Sequence, residues 1–170
     1  MSDEKRLLVK MMSILLTYPD EHFRRILPSM KERLEELSSS EVRQKLAATV
    51  RCLQQMPPLD LQEEYTRTFD FNPSHCLQLS YLKWGDARER GAELARLHQI
   101  YRDAGYEMAN RELPDHLPLM LEFLSIGPED IGRQLVDAYR TELNGLADRI
   151  VQSATVYAGV MESLGKLLLS

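Results

Sequence analysis

Apolar residues recur at steps of three and four along almost the whole chain, and prolines cut that pattern into segments. Such steps place side chains on one face of an α-helix. Leu7, Leu8, Met11, Met12, Leu15 and Leu16 form the first stripe. Pro19 disfavours helical geometry at Tyr18, so that helix stops there. A second helix is expected from about Asp20 to Glu36, kinked or divided at Pro28. Ser38 and Glu41 read as a capping box opening a helix with Val42, Leu46, Val50 and Leu53 inside. It ends before Pro57-Pro58. Leu61, Tyr65 and Phe69 share a face of the next helix, Leu59 to Phe71, which Asn72-Pro73 breaks. Cys76 to Trp84 fits a helix or a strand; helix is preferred because nothing nearby supplies a partner strand.

Asp86 and Glu89 read as a second capping box, ahead of a helix that buries Leu94, Leu97 and Tyr101 and ends near Gly105. Gly91 inside it costs about 1 kcal/mol against alanine, which a closely approaching neighbour helix would explain. Leu143, Leu146, Ile150, Ala154, Tyr157, Met161, Leu164 and Leu168 read as one long amphipathic helix, bent near its start by Asn144-Gly145. These segments predict an all-α fold: a single-domain helical bundle spanning 1–170.

The charge narrows the partners. Twenty-six acidic against 21 basic residues leave a net charge of −5. Phosphate backbones require a basic surface, so nucleic acid is not expected, whereas basic peptides are attracted. No run approaches the ~20 apolar residues of a spanning helix, so no membrane insertion is expected. The opening Met1 to Arg6 leads into an apolar stretch that Lys10 interrupts, without a small-residue cleavage site. Arg24-Arg25 follows a helix and a turn and reads as a solvated helix face. A cytoplasmic protein is the expectation. Cys52 and Cys76 read as buried, reduced thiols.

Catalytic patterns are missing. A di-metal helical bundle needs Glu-x-x-His pairs, and none of the four histidines has a glutamate three residues before it. The chain holds no Gly-x-Ser-x-Gly elbow and no Gly-rich phosphate loop. Neither an enzyme, a metal nor a cofactor is expected.

Two segments remain to carry function. Arg111 to Leu124 crowds two prolines, three carboxylates and a histidine onto an apolar run. Pro114 and Pro118 suit the start of a helix, near Pro118. Leu117, Met120, Leu121 and Leu124 then point inward. Glu112 and Asp115 lie near its positive end, and His116 changes charge near neutral pH. The other segment is Trp84 to Gly91. Its Arg88 and Arg90 oppose the dipole of the helix they open, so pairing with Asp115 or Glu112 is expected.

Four motifs occur in order: Leu15-Leu16-Thr17-Tyr18-Pro19-Asp20, Tyr65-Thr66-Arg67-Thr68-Phe69-Asp70, Gly85-Asp86-Ala87-Arg88-Glu89-Arg90-Gly91, and Arg111-Glu112-Leu113-Pro114-Asp115-His116-Leu117-Pro118. Together they resemble the NarJ-type delta-subunit assembly chaperones of respiratory nitrate reductase, within the wider group of TorD and DmsD. The resemblance runs from Leu7 to Leu168. It implies a TorD-like all-α fold without catalysis. It implies binding of the N-terminal peptide of the apo catalytic (alpha) subunit and help with molybdenum cofactor insertion. Molybdenum cofactor delivery proteins are further candidate partners. The motifs match Asp115 and His116 to peptide recognition, with Asp86, Arg88 and Arg90 shaping the same groove. The chain departs from the family pattern at the Phe71 to His75 loop. It also ends at Leu167-Leu168-Leu169-Ser170, where such chaperones often carry a longer acidic tail.

The expected mechanism is a groove bordered by Tyr65, Tyr81, Trp84 and Leu121 that takes an amphipathic helix. Glu112, Asp115 and Glu122 complement its basic residues, and protonation of His116 weakens the complex near pH 6–7. A monomer or weak dimer is expected. The alternatives are a dimeric structural adaptor pairing through the C-terminal stripe, or a chaperone for another molybdoenzyme.

Overall fold

The computed structural model describes residues 1–109 and 112–170. Arg111, which opens the proline-rich segment, lies outside the described residues. Ten α-helices follow in order: α1 Asp3–Leu15, α2 Glu21–Glu36, α3 Glu41–Gln55, α4 Pro58–Tyr65, α5 Leu79–Trp84, α6 Glu89–Asp103, α7 Leu117–Ile126, α8 Glu129–Ala138, α9 Arg140–Gln152 and α10 Ala158–Leu164. A π-helical turn, Thr66–Asp70, extends α4, and a second, Gly165–Leu169, extends α10. The described residues hold no strand, only a single antiparallel bridge between Gln78 and His116. The all-α expectation holds.

Local chemistry sets the helix starts. The Ser2 hydroxyl accepts from Lys5 N–H, the Asp20 carboxylate from Phe23 N–H at 2.8 Å, and the Ser40 hydroxyl from Arg43 N–H. Pro118 occupies the first turn of α7, where its missing N–H has no helical partner to lose. Apolar side chains from all ten helices meet in one core. Within it α1 lies along α7. Ser13 donates to the Pro118 carbonyl at 2.8 Å, Lys10 pairs with Glu122, and Arg6 donates to the carbonyls of Ser125 and Gly127. Tyr65, Phe69 and Tyr157 stack in a cluster that Tyr18 joins edge-on, 5.6 Å from Tyr65.

Several expectations are corrected. Pro28 does not divide α2. The cap of α3 is Ser40, not Ser38. Asp86 caps nothing: Gly85 turns the chain at φ 56°, and α6 begins only at Glu89, with no side-chain cap. The apolar run after Cys76 is helical only from Leu79, because Gln78 pairs with His116. Gly91 meets no neighbour; a Cβ there would find nothing within 4 Å. The long C-terminal helix is broken: Ala154 adopts φ 51° and α10 turns back against α3 and α9. The continuous stripe invoked for self-pairing therefore does not exist. Cys52 is exposed and Cys76 half-buried, against the buried thiols expected. Burial still pushes the Cys76 thiol up, ahead of smaller contributions from its neighbours.

Candidate peptide-binding site

α5 is six residues long and starts at Leu79, and the side chain of Gln78 before it does not cap it. Its free amides are satisfied from elsewhere in the chain. The Asp115 carbonyl accepts Leu79 N–H at 3.0 Å, and the Asp115 carboxylate accepts Ser80 N–H at 3.1 Å together with the Ser80 hydroxyl. Asp115 is thus an N-cap supplied by a distant segment. Arg90 of α6 completes the arrangement: its Nε donates to Ser80 Oγ at 3.1 Å and its Nη2 lies 3.8 Å from the carboxylate. The Arg90 guanidinium also stacks over Tyr81, 5.5 Å from the ring centre. Leu117 N–H to the Leu77 carbonyl, and the Tyr101 hydroxyl to the Pro114 carbonyl, pin the same loop. Of the pairings expected between Arg88 or Arg90 and Asp115 or Glu112, that of Arg90 with Asp115 is present. Its consequence is a clasp, because Asp115 is wholly buried.

That burial corrects the expected groove. Asp115, Tyr65 and Leu121 are core residues and present no surface to a partner. Tyr65 donates to the Leu16 carbonyl at 3.0 Å, and burial, with Asp70 and Glu112 adding, holds its phenol protonated well above the ordinary tyrosine range. Tyr81 and Trp84 are half-buried, the latter under the Lys83 ammonium at 4.7 Å; Asp86 and Arg88 are exposed. His116 is half-buried, with Nδ1 3.5 Å from Glu112 Oε2.

Two concavities with apolar walls carry three carboxylates each, and Tyr81, Trp84, Asp86 and Arg88 stand outside both. One, of about 220 Å³, has Tyr101, Tyr106, Leu119 and Phe123 in its walls and Glu107, Glu112 and Glu122 at its rim. Here Glu122 is engaged by Lys10 and Glu112 by His116. The other, of about 780 Å³, lies between the Tyr18 turn, α4 and Phe71. Tyr18, Met56, Leu59 and Phe71 supply its apolar surface, and Asp60, Glu63 and Glu64 its acids. Sequence reasoning missed this set. The signal was present: Leu59 lies off the face shared by Leu61, Tyr65 and Phe69, and an apolar residue outside the stripe points to solvent. Among the described residues no group of three His, Cys, Asp or Glu side chains could hold a metal ion, and no helix is long and apolar enough to cross a membrane.

A bundle of this kind defines an all-helical maturation-protein fold. A crystal structure from Archaeoglobus fulgidus, assigned as a redox enzyme maturation protein, matches 97% of this chain and 94% of its own with a TM-score of 0.70 and 25% identity. The family described as nitrate reductase delta subunit matches residues 35–158, and the chain belongs to that family. A Bacillus subtilis (strain 168) protein assigned as a nitrate reductase molybdenum cofactor assembly chaperone, NarJ, is 33% identical over 95% of this chain and 88% of its own length. Escherichia coli (strain K12) NarJ, named as a chaperone of the same kind, is 32% identical over 91% of this chain and 66% of its own length.

Proposed function

We propose that the protein is an assembly chaperone for a respiratory nitrate reductase. It binds the N-terminal peptide of the apo catalytic subunit and holds that subunit open for molybdenum cofactor insertion. Similarity along nearly the whole chain to NarJ chaperones supports the assembly role. The observation that carries peptide binding is the pairing of exposed apolar side chains with carboxylates in open concavities, on a chain of net charge −5. Such a surface gains by burying apolar area and draws basic segments toward it.

The complex must form and then release. A dissociation constant between micromolar and nanomolar, about −8 to −12 kcal/mol, meets both needs. Titration calorimetry of the purified protein with the N-terminal peptide of a nitrate reductase catalytic subunit tests the reading. Saturable binding in that range is expected. No binding at peptide concentrations well above micromolar rejects it.

A further inference from the structure

Among the described residues five large hydrophobics are exposed, and three of them, Tyr18, Leu59 and Phe71, share one concavity. Phe71 is 79% and Leu59 63% exposed. Exposed apolar residues scattered singly need no explanation, whereas a cluster in a hollow rimmed by polar groups marks an interaction site. Its volume of about 780 Å³ falls within the usual range for ligand clefts.

The floor beneath this hollow is tied into the core. Tyr18 stands edge-on to Tyr65, which packs on Phe69 and Tyr157 in the core. Gln62 donates to the Pro19 carbonyl at 3.2 Å and so ties α4 to the Tyr18 turn. The apolar surface is therefore presented on fixed elements, which limits the ordering cost of binding.

The charge selects the occupant. Three carboxylates line the hollow against one guanidinium, that of Arg67, which pairs with Glu64. Asp60 and Glu63 enter no ion pair among the described residues. The smaller concavity differs, because two of its three carboxylates already face a basic group of the protein itself. A second copy of this acidic chain would meet repulsion here. The described residues offer no sheet edge on which an extended peptide could add a strand, and an apolar hollow with acids at its margin suits the helix-in-groove mode.

We infer that the hollow between the Tyr18 turn and α4 docks a basic amphipathic helix of the client, its apolar stripe on Leu59 and Phe71 and its Lys or Arg residues against Asp60 and Glu63. The inference rests on the chaperone reading above and adds to it a place and a chemistry. The docking face then lies over Tyr65 and not at the Asp115 clasp.

Fluorescence anisotropy with the labelled N-terminal peptide of a nitrate reductase catalytic subunit tests this. Phe71→Glu and Leu59→Glu should each weaken binding about tenfold or more, the loss typical of a buried anchor. Both side chains are exposed, so thermal unfolding should stay unchanged and separate lost binding from lost folding. Glu63→Lys should weaken binding at low salt and reduce its salt dependence. Binding by the wild type that Phe71→Glu and Leu59→Glu leave intact overturns the inference while the chaperone reading stands. Binding kept by those two variants but lost in Glu112→Lys moves the site to the smaller concavity, and again overturns the inference alone. A wild type that does not bind the peptide rejects the chaperone reading, and the inference with it.

Discussion

The carboxylate of Asp115 accepts the backbone N–H and the hydroxyl of Ser80, which lies 35 residues earlier in the chain. Two segments with no helical register in common are thereby joined. The carboxylate also faces Arg90 at 3.8 Å, so α5, α6 and the loop before α7 share one buried charge. This places the Asp115 side chain inside the fold, where it sets positions and leaves contact to other residues.

Removing that carboxylate should be costly. Asp115→Ala strips α5 of its cap and leaves the Arg90 charge, three-quarters covered, without its partner. Breaking such a pair destabilises by about 3–5 kcal/mol. Asp115→Asn retains an acceptor for Ser80 and should lose less. Urea denaturation checks both; an Asp115→Ala variant within about 0.5 kcal/mol of wild type, the scale of neutral surface changes, would remove the clasp from the account.

Two buried tyrosines should respond oppositely to loss of their hydroxyls. Tyr65 donates to the Leu16 carbonyl, and Tyr65→Phe should cost about 1 kcal/mol. The Tyr157 hydroxyl is buried with no hydrogen-bond partner among the described residues, so Tyr157→Phe removes an unsatisfied group and should be neutral or stabilising. Thermal midpoints of the two variants supply the comparison.

Alkaline pH should unfold the protein through its tyrosines. Burial raises the Tyr65, Tyr101, Tyr139 and Tyr157 phenols above their ordinary value. In Tyr139, acceptance of its proton by Glu93 adds to the same direction. Each group stays protonated in the fold after the unfolded chain has begun to ionise. Its contribution is therefore complete below pH about 10 and is lost as pH rises further. Each tyrosine accounts for about 1.4 kcal/mol per pH unit in that window. Urea midpoints measured from pH 8 to 11 should be level at first and then fall steeply, less so in Tyr101→Phe than in wild type.

The glycines make a further pair. A Cβ on Gly159 would lie 2.8 Å from Thr49 Oγ1 and 3.3 Å from the Lys45 carbonyl, so α10 rests on α3 through this residue. Gly159→Ala should cost about 1–3 kcal/mol. Gly91 faces open space on α6, and Gly91→Ala should gain up to about 1 kcal/mol in helix propensity. Differential scanning calorimetry should move the two midpoints in opposite directions.

These glycines also mark how far the sequence could be read. Apolar periodicity located α1, α3 and α7 because their stripes face one core, and Leu117, Met120, Leu121 and Leu124 are buried as their spacing requires. Periodicity says which face turns inward and nothing of what lies opposite, so close approach was expected at Gly91 and occurs at Gly159. The break at Ala154 lies in Ser153-Ala154-Thr155, which has no glycine or proline to signal a left-handed residue. The site was half legible. A pairing of Arg88 or Arg90 with Asp115 or Glu112 followed from basic residues at a helix start, and the structure selects Arg90 with Asp115. The burial of that pair did not, because the polar partner that permits it, Ser80, is an unremarkable residue in an apolar run. The exposed set at Leu59 and Phe71 arises from side chains outside the stripe, which a search for core positions passes over.

Hydrogen exchange of the protein with and without the N-terminal peptide of a nitrate reductase catalytic subunit tests the docking surface most directly. Slowed exchange should appear in α4, in the π-helical turn that follows it and around Tyr18, with the amides of Ser80 and Leu117 unchanged because the clasp is already closed. Protection confined to the segment from Glu112 to Leu117, with α4 unaffected, would contradict the account.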